Sequence, residues 1–212
     1  SLRLPPGPCA FLRAGQRFEG SQHLPRRRGP KGERWVISVA LHRVDLRRGL
    51  VCGTLEATCD PAACHSLGER LEPTVTFFEG DIVDNVNHSF AGASDAAAAR
   101  SAAPSAEVEL SCWSLFASFA PLARDVRRCG GRSAALSAHG AIYMRWRERF
   151  FVRGGGSDSV SIAGVYYVAL DRTTGAISGL YCESCASTSQ KVDLKPLSTE
   201  AAGKAFAEME LA

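Results

Sequence analysis

The 212-residue chain carries 25 Lys and Arg against 22 Asp and Glu, and its net charge of +3 is too small to imply nucleic acid as a general partner. Hydrophobic residues make up 45%, as in an ordinary packed protein of one sizeable domain or two small ones. No apolar run reaches bilayer-spanning length, and the start lacks the charged-then-apolar layout of a signal peptide. Eight cysteines without such a signal are expected to be reduced thiols of the cytosol or nucleus.

In chain order, the opening stretch reads as a strand, and a basic run, "PRRRGPKGER" (Pro25–Arg34), follows it. Its prolines and glycines suit a solvated hairpin loop better than a nuclear-import or anionic-surface patch. "RWVISVALHRV" (Arg34–Val44) puts Trp35, Ile37, Val39 and Leu41 on one face of a strand. "DLRRG" (Asp45–Gly49) turns the chain into a second strand, "LVCGTLEAT" (Leu50–Thr58). A third is "TVTFFEGDIVD" (Thr74–Asp84).

The alanine- and serine-rich stretch over 91–108 reads as a loop. A helical insertion over 111–129 follows, with Trp113, Phe116, Ala117 and Ala120 at helical spacing and Pro121 splitting or kinking it. "GAIYMRWRERFFV" (Gly140–Val152) returns to strand. "SIAGVYYVAL" (Ser161–Leu170) and "AISGLYCES" (Ala176–Ser184) flank a loop with hairpin chemistry, "DRTTG" (Asp171–Gly175). The whole predicts an all-β fold, a meander closing into a small antiparallel barrel, because closure removes the exposed edges.

Two cysteine pairs could together supply four zinc thiolates, Cys59 with Cys64 and Cys182 with Cys185. Cys182 lies within a strand pattern and no second close C-x-x-C pair exists, so ordinary thiols account for them better. The five histidines show no metal or nucleophile spacing, and no phosphate loop or dinucleotide fingerprint appears. Nothing makes a positive case for catalysis, for a cofactor or for a metal.

One residue is out of place. Alternation along Gly140–Val152 puts Tyr143, Arg145, Arg147, Arg149 and Phe151 on one face, with the three arginines pointing outward. The other face holds Ile142, Met144, Trp146, Glu148, Phe150 and Val152. Glu148 thus stands in an apolar row, where a carboxylate is rarely buried without a partner. The bland reading is an internal ion pair or a wet strand end. The functional reading gains from Tyr166, which shares an inward face with Ile162, Gly164, Val168 and Leu170. A carboxylate and a phenol facing one apolar cavity suit a cationic group with two N–H donors.

Seven blocks together are recognisable: "RFEGSQ" (Arg17–Gln22), "LHRVD" (Leu41–Asp45), "CGTL" (Cys52–Leu55), "TFFEGDI" (Thr76–Ile82), "YMRWRERFFV" (Tyr143–Val152), "IAGVYYV" (Ile162–Val168) and "ISGLY" (Ile177–Tyr181). Their order resembles that of the vacuolar import and degradation family, substrate receptors of the glucose-induced degradation (GID, or CTLH) ubiquitin ligase. The resemblance implies an antiparallel barrel of about eight strands with helical insertions, spanning 11–197 between a flexible segment (1–10) and a tail (198–212) that docks on the ligase. It implies a non-catalytic receptor that binds proteins by an N-terminal proline and presents them for ubiquitination and proteasomal degradation. An armadillo-type scaffold subunit would be its partner, without membrane insertion, in the cytoplasm and also the nucleus. Carried over residue by residue, Glu148 is the amine-binding carboxylate and Tyr166 its partner. Gln22 and Ser161 contact the peptide backbone, and Gln190 sits on a pocket loop. Ile37, Leu55, Phe151, Ile162 and Tyr181 form the apolar wall. The rival reading of the same cavity is a lipocalin-like carrier of a small apolar molecule.

Overall fold

The structure is a computed structural model and describes residues 9–24, 33–59, 72–93, 105–154, 162–182 and 190–198. Its main strands are β1 (Arg17–Leu24), β2 (Glu33–Asp45), β3 (Leu50–Cys59), β4 (Thr74–Ile82), β7 (Ala141–Arg153), β8 (Val165–Asp171), β9 (Ile177–Cys182) and β10 (Gln190–Pro196). These eight close into a barrel in the order β1-β10-β9-β8-β7-β4-β3-β2. Every ladder is antiparallel, so the chain meanders round the wall and its first and last strands pair. Two-residue strands β5 (His88–Ser89) and β6 (Gly92–Ala93) form a separate hairpin.

The turns behave as their chemistry dictates. In the β2–β3 turn the Asp45 carboxylate accepts the Arg48 N–H at 3.1 Å, and Gly49 takes φ +64°. In the β8–β9 turn the Asp171 carboxylate accepts the N–H groups of Thr173 and Thr174 at 2.9 and 2.7 Å.

Inward-facing residues of all eight strands build one core, including Phe18, Val39, Leu41, Phe78, Met144, Trp146, Val168 and Leu170. Leu12 joins it and Phe11 packs against it. The barrel is therefore packed with side chains along most of its length, as expected for eight strands.

A second core lies outside the barrel. Helix α1 (Ala106–Trp113) and helix α2 (Ala120–Arg128) cover the outer face of β7–β9. Trp113, Phe119, Leu122 and Val126 pack there with Tyr143, Tyr167, Ala169 and Leu180. The helical insertion begins at Ala106, five residues before its expected start. Ser105 caps it, its hydroxyl accepting the Val108 N–H at 3.5 Å. Residues 106–108 are thus helix, not loop, and 94–104 fall outside the described residues. The insertion is broken before Pro121: Ser114–Phe116 leave the helix, a 3-10 turn spans Ala117–Phe119, and Pro121 sits in the first turn of α2. There its missing N–H has no partner to lose. Trp113 and Phe116 are buried as expected, whereas Ala117 and Ala120 are exposed.

This cover corrects the reading of the arginines. Arg145 is on the outer face but 0% exposed. Its guanidinium meets the buried Glu109 carboxylate of α1 at 2.9 Å and Asp81 at 3.7 Å. Arg147 pairs with Asp81 at 3.0 Å and Arg149 with Glu79 at 2.9 Å, both on the outer wall.

Candidate functional site

Strand β7 departs from alternation at the residues that matter. In its ladder with β4, Phe78 faces Glu148, Phe77 faces Phe150, Thr76 faces Phe151 and Val75 faces Arg153. Arg149 and Val152 have no opposite number, so β7 is bulged at both. Up to Glu148 the even-numbered residues point into the barrel. Past the first bulge the sense reverses: Phe150 goes outside, 54% exposed and stacked on Phe77 at 5.1 Å. Val152 is 57% exposed, and Phe151 takes the inward position opposite the buried Thr76. The alternation reading of Phe150, Val152 and Phe151 is thus overturned. The wall position that the resemblance implies for Phe151 is the one that the register supplies.

Glu148 lies at the end of the packed core, partly buried. Its Oε1 accepts the Thr76 hydroxyl at 2.5 Å. Among the described residues no cation pairs with it, which excludes the internal ion pair within that set. Burial pushes its carboxyl above the usual carboxylate range, and the Thr76 hydrogen bond works against that rise. Thr76 was not foreseen, yet its signal was present: on Thr74–Ile82 the hydroxyl of Thr76 alternates inward with Phe78.

Tyr166 is buried beside it, in register with Trp146 on β7 and Tyr181 on β9. The Tyr166 and Tyr181 rings meet at 4.7 Å and 48°. Burial first, then the charges of Glu148 and Tyr181, push the Tyr166 phenol well above its ordinary value, while a hydrogen bond with Gln22 opposes them. At neutral pH it is therefore a neutral hydroxyl.

Tyr181 is fixed from the other side, since its hydroxyl accepts the Gly164 N–H at 3.2 Å. A side chain at 164 has no room: a Cβ there would lie 2.5 Å from Cε2 of the Tyr181 ring.

Gln22 of β1 is buried, and its Nε2 donates to Gln190 Oε1 at 2.6 Å. Gln190 is the first residue of β10, not part of a loop, because the sheet hydrogen bonds of Tyr181 extend to it. The Gln22–Gln190 bond leaves one amide oxygen and one amide nitrogen of the pair unspent, an acceptor and a donor as a peptide backbone requires.

Of the expected wall residues, Ile37, Leu55 and Tyr181 are buried in the barrel core with Tyr166 and Trp146. Phe151 and Ile162 are partly buried beyond it. Ser161 lies outside the described residues, as do 25–32 of the basic run, Cys64, Cys185 and the tail from 199. Among the described residues, no group of three or more His, Cys, Asp and Glu could hold a metal. Cys59 is disulfide-bonded, against the expectation of reduced thiols, and its partner is outside the described residues. Cys9, Cys52, Cys112 and Cys129 form no disulfide, and Cys112 Sγ lies 3.8 Å from Cys182 Sγ.

Among the described residues the site therefore has one carboxylate without a counter-charge, one neutral phenol and one amide pair, set above a filled barrel. In its chemistry such a set suits a small cationic group with a chain attached to it.

The profile of the family described as "Vacuolar import and degradation protein" matches residues 11–197. The mouse "Glucose-induced degradation protein 4 homolog" is 24% identical over 87% of this chain and 77% of its own length. The Saccharomyces cerevisiae "GID complex substrate-recognition subunit 10" is 26% identical over 95% of this chain and 74% of its own. The Schizosaccharomyces pombe protein of the same description is 28% identical over 89% of this chain, but over 35% of its own length. With the family profile matched from residue 11 to residue 197, this chain belongs to the vacuolar import and degradation family.

Proposed function

We propose that this protein is the substrate receptor of a GID-type ubiquitin ligase and binds partner proteins by a free N-terminal proline. The observation that carries the reading is Glu148, a carboxylate with a hydroxyl partner and no cation among the described residues, next to a neutral Tyr166 at the end of a packed barrel. A protonated N-terminal proline is a secondary ammonium with two N–H bonds. One goes to the Glu148 carboxylate and the other to the Tyr166 oxygen, each charge-assisted and contributing about 1.5–3 kcal/mol. The pyrrolidine ring lies against Leu55, Phe151 and Tyr181, and proline's fixed φ lowers the ordering loss on binding. Gln22, Gln190 and Ser161 take backbone groups further along, which tolerates varied sequence.

The receptor performs no chemistry. It holds the substrate while an armadillo-type scaffold brings it to the ubiquitination machinery, ahead of proteasomal degradation in the cytoplasm and nucleus. The relatives' descriptions as GID complex substrate-recognition subunits support this assignment. A lipocalin-like carrier role is disfavoured, because Phe18, Phe78, Met144, Trp146 and Val168 occupy the interior that an apolar ligand would need.

Calorimetric titration of a proline-initiated peptide and its N-acetylated twin tests the reading. Acetylation removes the charge and both amine protons, so binding should be lost. Equal affinity for the two peptides would overturn amine capture.

A further inference from the structure

Trp35 is an inward residue of β2 at the Gln22 end of the strand. It stands opposite Gln22 on β1 and opposite Cys59 on β3, and its ring packs against the barrel core while remaining partly exposed. Its indole nitrogen is buried and has no hydrogen-bond partner among the described residues. An indole N–H is a donor only, and a buried one normally finds an acceptor. Its neighbour on β1, Gln22, is bonded through its amide nitrogen to Gln190 and not to the indole.

Trp146 also has an unpartnered indole nitrogen, but the two differ in position. Trp146 is stacked on Phe78 at 4.9 Å with its Cδ1 tight against Gly80, within the packed wall. Trp35 instead stands at the edge of the core, opposite Gln22, which bonds to Gln190 across from Tyr181.

We propose that Trp35 Nε1–H is a further ligand contact, donating to a backbone carbonyl within the first residues of the bound peptide. This rests on the peptide-binding reading given above. The amine end is anchored on β7 and β8, and β1 and β10 face it from across the mouth. A chain leaving Glu148 toward Gln22 carries its first carbonyls past Trp35. The ligand then satisfies a donor that the free protein leaves unmet, as it satisfies Glu148 from the opposite sense of charge. The contact reads backbone, not side chain, so it adds affinity for any peptide with the required first residue.

The test uses W35F, which keeps an aromatic ring and deletes the donor. Its affinity for a proline-initiated hexapeptide should fall roughly five- to tenfold, the span of one net hydrogen bond. Its thermal midpoint should hold or rise, because an unmet buried donor is gone. In the wild-type protein, a ¹⁵N–¹H spectrum should show the Trp35 indole proton moving downfield on saturation with the same peptide, a readout independent of whether the variant folds. Wild-type affinity in W35F, or an indole resonance that stays in place, overturns the proposal while leaving amine capture standing. If the N-acetylated peptide binds the wild type equally well and W35F weakens both, amine capture falls and the Trp35 contact stands. A wild-type protein that binds neither peptide overturns both.

Discussion

Replacing Glu148 by Gln keeps the volume and an oxygen that can accept the Thr76 hydroxyl now held at 2.5 Å. What it removes is the charge. In the complex, the ligand ammonium would then sit at the end of an apolar core with no counter-charge, and truncating such a pair costs 2 kcal/mol or more. A loss of about 2 kcal/mol is roughly a thirtyfold weakening in Kd. In the free protein the effect has the opposite sign. Burial raises the folded-state pKa of Glu148 above that of a free carboxylate, so between the two values the folded chain holds more protons than the unfolded one. Stability then falls as pH rises through that window, and at neutral pH Glu148 weakens the free barrel. The neutral amide lacks this penalty.

Calorimetry on the proline-initiated peptide and thermal denaturation of the free protein, run side by side, read both effects. The expected result is a variant that binds at least thirtyfold more weakly and melts no lower than wild type at pH 7, with its advantage shrinking toward pH 4. The wild-type affinity itself should fall as pH drops through the raised Glu148 pKa, because protonation removes the acceptor charge. E148Q binding within twofold of wild type would refute the assignment, and a lower melting point would refute the account of burial.

T76V deletes the hydroxyl that holds Glu148 Oε1; since that bond counteracts the raised carboxyl, the low-pH limb of peptide affinity should move to higher pH, as a calorimetric pH series will show. G164A drives a methyl into the Tyr181 ring, so overpacking should lower stability by about 1–3 kcal/mol and peptide affinity should fall with it, a joint loss that denaturant melts and titration detect. E109A strips the buried Arg145 of its 2.9 Å partner and should lower stability by about 3 kcal/mol or more. Peptide affinity measured well below its melting point should stay at the wild-type value, because that ion pair lies on the outer wall under α1.

How far the sequence discloses the site depends on which residues supply each feature. The inward set of β2 was legible because a half-buried strand writes its environment as alternation. Glu148 was legible for the same reason, as an acid in an apolar row. The fate of Arg145 was not, because strand periodicity reports only the side of the sheet. What covers that side is set by α1, whose Glu109 is 36 residues away. Nor were the bulges at Arg149 and Val152, which leave no mark in a run where nearly every residue fits a strand. Phe151 was placed inward only by family likeness, against the alternation. Gln190 was placed on a loop by family likeness; its strand, "QKVDLKP", is short and polar on alternate positions, and the pairing with Tyr181 fixes it.

The bulge at Arg149 explains why this barrel can be filled below and receptive above. A regular β7 would turn Phe150 and Val152 inward after Glu148 and continue the core past the carboxylate, while Phe151 faced solvent. With one residue skipped, Phe150 stacks outside on Phe77, and the inward succession becomes Trp146, Glu148, Phe151. The packed core therefore ends at a carboxylate with an aromatic edge above it. Thr76 and the Tyr166 hydroxyl soften the isolation of that charge, but neither neutralises it. Under the proposed function, an arriving ammonium would remove a penalty that the free fold already carries, as well as adding its own contacts. Part of the affinity would then be stored in the unliganded barrel as lost stability, which would couple the first residue of a substrate to the folding free energy of its receptor.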